Sequence, residues 1–550
     1  MSYLAGVFSL AVILTAVPAA AEHHHAMPSA SESAPVALFK GLSSLHHAVT
    51  TSVPAAQQYF DQGLRFIYAF NHDEATRSFK EATRLDPACA MAYWGIAFTL
   101  GPNYNLPTDA ERAKAAYEAA QKALLLIAQV SEPEQAYIEA IAKRYAADPP
   151  ADRKALDLAF ADAMRKVTQR YPNDLDAATL FAESMMNLRP WDLWTADGQP
   201  QPGTEEIVAT LESVLKRNPN HPGAAHYYIH AVEASRQPER AERYADRLGK
   251  VAPGAGHLVH MPSHIYMRIG RYRDAAQSNA RAARIDEDYL EKYNIQGVYR
   301  IMYYPHNVHF QWAAASMEGR SKEALQAARK LVAQMPVAFV KQMPMVEFVP
   351  PTLLLSLARF GKWQEILRQP VPPEELQYTT AIWHYVRGLA LVATDHVDDA
   401  VRKYAKLTEL VAAMPADRLI GQNSATALLN IAAKTLQGEI AARRGDTAEA
   451  IKVLGEAVRL QDTLKYEEPP PWYFPVRQSL GAVLFVANRP AEAELVYRED
   501  LQRNPENGWS LYGLMQSLQA QKKGKAAAAT AKRFRKAWAR ADVILPASRF

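Results

Sequence analysis

An all-α solenoid built from repeated helix pairs is the fold this sequence predicts, and three observations predict it. A frame of small, aromatic and turn residues recurs. Gly63, Ala75, Phe79 and Pro87 near the start match Gly481, Ala493, Tyr497 and Pro505 near the end, both spanning 24 residues from Gly to Pro. Further copies centre on Ala241 with Pro253, on Ala275, on Ala324, on Ala400 with Tyr404, and on Ala450 with Ala457. Breaker turns such as Arg268-Ile269-Gly270-Arg271-Tyr272 and Arg444-Gly445-Asp446 separate the helices of a pair. Histidines also keep phase with the frame. His226, His260 and His309 lie 15 residues before Ala241, Ala275 and Ala324; His230 and His264 lie 11 before the first two of these; His257 and His306 lie 18 before the last two. A lone amphipathic pair cannot cover its own apolar face, so such units are stable only when stacked.

In chain order, residues 1–21 read as a secretory signal. An apolar stretch from Leu4 to Val17 precedes Pro18 and the small-residue site Ala19-Ala20-Ala21, although the first three residues carry no cation. An uncleaved anchor is the alternative, and the run is short for a membrane span. Export to a periplasm or beyond is expected. Residues 22–52, rich in Ala, Ser, Pro and His, read as a mobile tail. Cleavage after Ala20 or Ala21 leaves His23 or His24 as the third residue, which suits square-planar copper(II) or nickel(II); a tail without a fixed role is the plainer reading. Repeats then fill 53–220, 221–340 and 341–550. Residues 103–170 are helical in pattern but fit the frame poorly. Residues 188–204, with Trp191 and Trp194, interrupt a repeat. They read as a long loop that covers the inner surface or packs its two Trp onto the body.

Composition narrows the function. Hydrophobic residues make up 49% and charged residues 22%, which marks a folded protein. The net charge of +4 and the lack of a long basic run argue against a nucleic-acid partner. No segment after the signal is apolar enough to span a membrane. Cys89 is the only cysteine, so an intrachain disulfide, a thiolate metal cluster and c-type haem attachment are excluded. Cys89 itself reads as a small core residue. No phosphate loop, serine-nucleophile elbow or HExxH helix occurs among the repeats.

The segment from Tyr59-Phe60-Asp61-Gln62-Gly63 through Asn71-His72-Asp73-Glu74-Ala75 to Phe79, Ala82 and Asp86-Pro87 resembles the tetratricopeptide repeat. The resemblance covers most of the chain beyond the signal. It implies a right-handed superhelix whose first helices line a concave face, where ligands bind. A protein or peptide partner in that groove is implied by the same resemblance, as for a periplasmic assembly factor.

On those first helices the imidazoles collect. His226 and His230 are four apart, as are His260 and His264, which places each pair on one helical face. His257, His306 and His309 share the same frame offsets. Imidazole is the commonest protein ligand for transition metals, so His226, His230, His260 and His264 are expected to hold one ion. His257, His306 and His309 complete that site or form a neighbouring one. Copper, zinc and iron all fit. Glu233, two turns from His226, reads as an orienting acceptor or catalytic base. Glu183 lies 11 residues after Pro172, as His230 and His264 lie 11 after Pro219 and Pro253, and adds a candidate carboxylate. Pro262 interrupts the helix bearing His260 and His264, a broken rule of the kind that collects at functional sites; Pro305 suits a helix start. Tyr227, Tyr228, Tyr266, Tyr303 and Tyr304 read mainly as packing aromatics. A polar groove using His and Arg268 as donors is the alternative to a metal, and His384 and His396 read as structural. An open coordination position would make a metal-dependent oxidoreductase or hydrolase.

Overall fold

A computed structural model describes residues 36–550. The signal segment 1–21, the candidate amino-terminal copper motif and residues 22–35 lie outside the described residues. The described chain is all-helical apart from a two-residue antiparallel pair, Leu419–Ile420 with Asn423–Ser424. No described helix is long and apolar enough to cross a membrane.

The chain divides into two compact units. The first holds the described residues up to Leu193, with 202–227 and 294–297; the second holds 194–201, 228–293 and 298–550. The division falls within the helix Pro222–Glu233, and none separates 340 from 341. The three blocks of the repeat reading therefore fall into two compact bodies.

Within the first unit the stretch expected as a mobile tail is tied down from residue 36 onward. Phe39 N–H donates to Gln62 Oε1 (2.7 Å), Thr50 N–H to Glu134 Oε1 (2.6 Å), and His47 Nδ1 lies 2.9 Å from Asp176 Oδ2. Side chains that accept the first free N–H groups start several helices: Asn71 for His72–Leu85, Asp109 for Ala110–Leu125 and Asp174 for Leu175–Met186. The poorly framed stretch 103–170 forms the helices Ala110–Leu125, Glu132–Ala142 and Lys154–Arg170. The inserted loop packs its tryptophans down in each unit separately. Trp191 stacks on Tyr104 at 5.2 Å in the first, and Trp194 Nε1–H donates to the Ala231 carbonyl (2.7 Å) in the second.

A physical lock explains the repeat frame. Phe79 lies against two glycines: a Cβ on Gly63 would meet its ring at 2.6 Å, and one on Gly95 at 2.5 Å. In the second unit Tyr497 does the same between Gly481 (2.5 Å) and Gly513 (2.2 Å). Each ring follows one glycine by 16 residues and precedes the next by 16. Leu454, 16 after Gly438, takes the ring's place, and a Cβ there would meet it at 2.6 Å. Gly63→Ala is therefore expected to cost about 1–3 kcal/mol by overpacking, since Phe79 is held on both sides. Gly455→Ala, with only the far end of Arg459 near at 3.7 Å, is expected to be neutral or to stabilise by up to about 1 kcal/mol through helix propensity. Urea denaturation of the two variants checks the contrast; equal midpoints would remove the lock.

Candidate metal centre

Three pieces of the second unit bring imidazoles together. The end of helix Pro222–Glu233 supplies His230 and Glu233. The helices Gly256–His260 and Pro262–Arg268 supply His257, His260 and His264. Pro262 has no N–H, so the hydrogen-bond ladder stops there, yet Met261 keeps right-handed helical angles (φ −48°, ψ −38°). Direction is kept across the break, and His264 stays one turn from His260 on the same side. Ser263 Oγ donates to the His260 carbonyl (2.7 Å), at the same break. The third piece is the π-helical turn Tyr299–Tyr303 running into the helix Tyr304–Met317, with Pro305 at its start and His306 on its first turn.

Hydrogen bonds fix the tautomers. Asn279 Nδ2 donates to the Ala275 carbonyl (2.8 Å), so its Oδ1 is the atom facing His260 Nδ1 at 2.6 Å. An amide oxygen only accepts, so His260 Nδ1 carries the proton. Glu233 fixes two more rings. Its Oε2 lies 2.5 Å from His264 Nδ1 and its Oε1 lies 2.8 Å from His230 Nδ1. All three imidazoles thus commit Nδ1–H to an acceptor and turn Nε2 away from it. His260 Nε2 and His264 Nε2 then face each other at 2.9 Å. Two lone pairs at that distance repel unless a proton or a cation sits between them. His306 joins them, its ring centroid 4.8 Å from His260 and 5.7 Å from His264.

Ligand atoms of His260, His264 and His306 lie within 4.8 Å of one another, as do those of His230, Glu233 and His264. Two nitrogens on one ion, each at about 2.0–2.1 Å, stand at most about 4.2 Å apart. The His260–His264 pair already meets that limit, with a His306 ligand atom within 4.8 Å of both. Burial, with the charge of His264 and His306, holds His260 well below the ordinary imidazole value. Burial pulls His264 down, but the Glu233 charge and hydrogen bond outweigh it and raise it. Burial would raise Glu233, but His264 and His230 bring it to about 2.

The remaining sequence candidates are distributed as follows. His257 stacks on His260 at 5.6 Å and meets Tyr303 edge-on at 5.0 Å. His309 lies between Trp312 (5.1 Å) and Phe348 (5.3 Å), and among the described residues it joins no donor grouping. His226 belongs to the first unit, where its Nδ1–H donates to the Tyr68 carbonyl (2.7 Å) and its ring meets Phe70 edge-on. Glu183, also there, accepts from Asn187 Nδ2 (2.6 Å); its Oε2 has no hydrogen-bond partner, and burial pushes its carboxyl up to about 7. Arg268 donates to the Ser235 carbonyl (3.2 Å) and lies over the Tyr466 ring. His384 packs edge-on against Trp383, His396 Nδ1 donates to the Thr394 carbonyl, and Cys89 is a buried free thiol.

Two participants were not anticipated. Asn279 is one, since an amide on a following helix carries no motif. Glu468 is the other. It accepts from the Tyr466 hydroxyl, its Oε2 is buried without a hydrogen-bond partner, and burial lifts its carboxyl to about 7 against the pull of His264. With His306 and His309 it lines a cavity of about 70 Å³. The available signal was the run Tyr466-Glu467-Glu468-Pro469-Pro470-Pro471, where paired acids meet a stiff backbone. The first unit holds a cluster of its own. Asp176 accepts from Tyr68 (2.6 Å) and bonds His47 (2.9 Å) and His221 (3.2 Å). Tyr68 and both imidazoles converge on this one carboxylate, and ligand atoms of His47, Asp174 and Asp176 lie within 4.8 Å of one another.

Burial also fixes how the protein meets acid. His72 in the first unit and His309 in the second are each pushed down to about 3, His72 by burial and then by Arg112 and Arg144. Unfolded imidazoles protonate near the ordinary value of 6.5. Below that pH these two residues bind more protons in the unfolded chain than in the folded one, so their contribution to stability falls as pH falls. Chelator-treated wild type is expected to lose unfolding free energy relative to His72→Gln as pH falls from about 6.5 toward 4. Urea titrations of both proteins at four pH values check this; a difference between them that does not change with pH contradicts it.

No protein-family model matches the chain, and no curated protein matches it. Among solved structures it is similar to the human IFIT1 dimer with m7Gppp-AAAA, at 12% identity over 89% of this chain and 91% of that one, with a TM-score of 0.32. It is also similar to yeast Tom70, at 13% identity over 87% and 96% with a TM-score of 0.29. A third is the P58(IPK) TPR domain, at 13% identity over 86% and 99% with a TM-score of 0.22. Likenesses of this size carry no ligand or activity to this chain.

Proposed function

We propose that the second unit binds a transition-metal ion through His260, His264 and His306, with His230 alongside and Glu233 orienting two of the rings. The observation that carries this is the 2.9 Å approach of His260 Nε2 to His264 Nε2, with both opposite nitrogens already donating. Acceptors behind ligating imidazoles are the usual means of fixing a metal's donors. Nitrogen and oxygen donors without thiolate suit copper, zinc or iron. The cavity that Glu468 lines leaves room for a further ligand, so a bound ion could activate water or dioxygen there, with Glu468 beside it to hold a proton.

Elemental analysis of the purified chain, followed by calorimetric titration with zinc and copper(II) after chelation, tests the reading. One tightly bound ion per chain supports it; a chain that takes up neither ion removes it. Azide or cyanide binding to the loaded protein separates an open site from a saturated one.

Two further proposals stand on other grounds. Residues 1–21 support export. The helical-repeat architecture supports a protein or peptide partner, and capture of a peptide by metal-free protein would favour that role over the metal.

A further inference from the structure

The last helix of the described chain, Gly524–Ala537, belongs to the second unit and departs from the others in its charge. From Lys522 to Arg540 stand eight Lys and Arg and no Asp or Glu. Those 19 residues sum to +8 in a chain of net +4, so the remainder is net −4. All eight cations are exposed. Lys523 pairs with Glu494 (2.7 Å) and Arg533 with Glu506 (2.6 Å). The other six, Lys522, Lys525, Lys532, Arg535, Lys536 and Arg540, form no ion pair among the described residues.

Folding does not account for this pattern. Cations stabilise the end of a helix and destabilise its start. Arg535 and Lys536 occupy the last turn, but Lys522, Lys523 and Lys525 crowd the start, and the first turn holds no acid. Lys532 also neighbours Arg535 and Lys536 at spacings of three and four, which repels. Other helices set opposite charges at such spacings, as Arg489 with Glu492 (2.6 Å) and Lys406 with Glu409 (2.7 Å). At 3.6 residues per turn, the five cations inside the helix fall within an arc of about 160°. Ala527 and Thr530, on the opposite side, are buried. Every other exposed residue of the helix is Ala or Gly. Like charge gathered on one face, against the helix's own stability, marks a surface kept for a partner.

The face also selects among anionic partners. It has no aromatic side chain on which a nucleic-acid base would stack. Lysine without an apolar centre is the reverse of a protein interface core. A plane of phosphate headgroups requires only clustered cations, and about four to eight Lys or Arg on one helix meet that need. We propose that this face docks the protein peripherally on an anionic phospholipid membrane, the six free cations resting on headgroup phosphates. The surface is separate from the imidazole cluster and needs no metal.

Co-sedimentation of the full chain with vesicles tests this. Vesicles of two parts phosphatidylcholine to one of phosphatidylglycerol are expected to bind it at about 0.1 M salt and to release it at about 1 M. Phosphatidylcholine alone should bind about ten-fold more weakly or less. Lys525→Gln, Lys532→Gln and Lys536→Gln together are expected to lose about ten-fold or more in affinity for the mixed vesicles. Lys114→Gln, Lys166→Gln and Lys216→Gln together make the same change in net charge at exposed sites of the first unit and should bind as the wild type does. Circular dichroism reports whether each variant is folded; should the first not be, Lys525→Gln with Lys536→Gln takes its place. No binding to the mixed vesicles, equal binding to both kinds, equal losses in the two triple variants, or wild-type affinity in the first would each overturn the proposal. A DNA duplex held where the mixed vesicles are not would assign the face to nucleic acid and overturn it too.

Discussion

Changing His260 and His264 together to alanine is expected to empty the proposed metal centre. Both Nε2 donors at the 2.9 Å contact disappear. The loss of affinity should exceed the roughly 10–100-fold that removal of an outer orienting partner costs. In elemental analysis the wild type should carry close to one ion per chain and the variant close to none. His384→Ala, a ring packed on Trp383 in the same unit, should keep the ion. Circular dichroism and the unfolding midpoint report whether the variant stays folded. Equal metal content in wild type and double variant would end the assignment of these residues, whatever else the protein binds.

Glu233 gives the second large effect, and two substitutions separate its roles. It is 1% exposed, and each oxygen accepts from a different imidazole. Glu233→Ala strands two buried N–H donors at about 1–3 kcal/mol each, so a loss on the order of 3–5 kcal/mol is expected. Glu233→Gln keeps the shape. One amide end still accepts, but the other is now a donor and drives the facing ring to the opposite tautomer. That moves a lone pair from Nε2 to Nδ1, so metal affinity should fall about 10–100-fold with a smaller loss of stability. Urea unfolding of the chelated proteins and a competition titration with a chromophoric chelator read the two effects apart. A Gln variant with wild-type affinity would show that Glu233 only fills space.

The repeat frame was legible because its cause is local and periodic. A ring 16 residues from a glycine on each side is a spacing any single chain displays. The imidazole phase was legible for the same reason, and His230, His260, His264 and His306 do converge in one unit. What spacing does not contain is which way a ring turns. His309 shares its offset with His260, yet it lies between two aromatic rings. Frame position fixes where a Cα sits, while the neighbours on the next helix choose the rotamer. Asn279 and Glu468 escaped notice because their roles exist only after folding, the second across some two hundred residues from His264. Pro262 was legible as an anomaly, and the structure resolves it as a break between two short helices.

The shared-ring lock has a consequence for how the array comes apart. Each aromatic bolt engages one notch in its own pair and one in the next, so it ties neighbouring pairs together as well as the two helices of one pair. An interior pair cannot loosen without releasing both adjoining joints, whereas a terminal pair releases one. Opening should therefore start at an end and travel inward as a zip, as in other linear arrays governed by nearest-neighbour coupling.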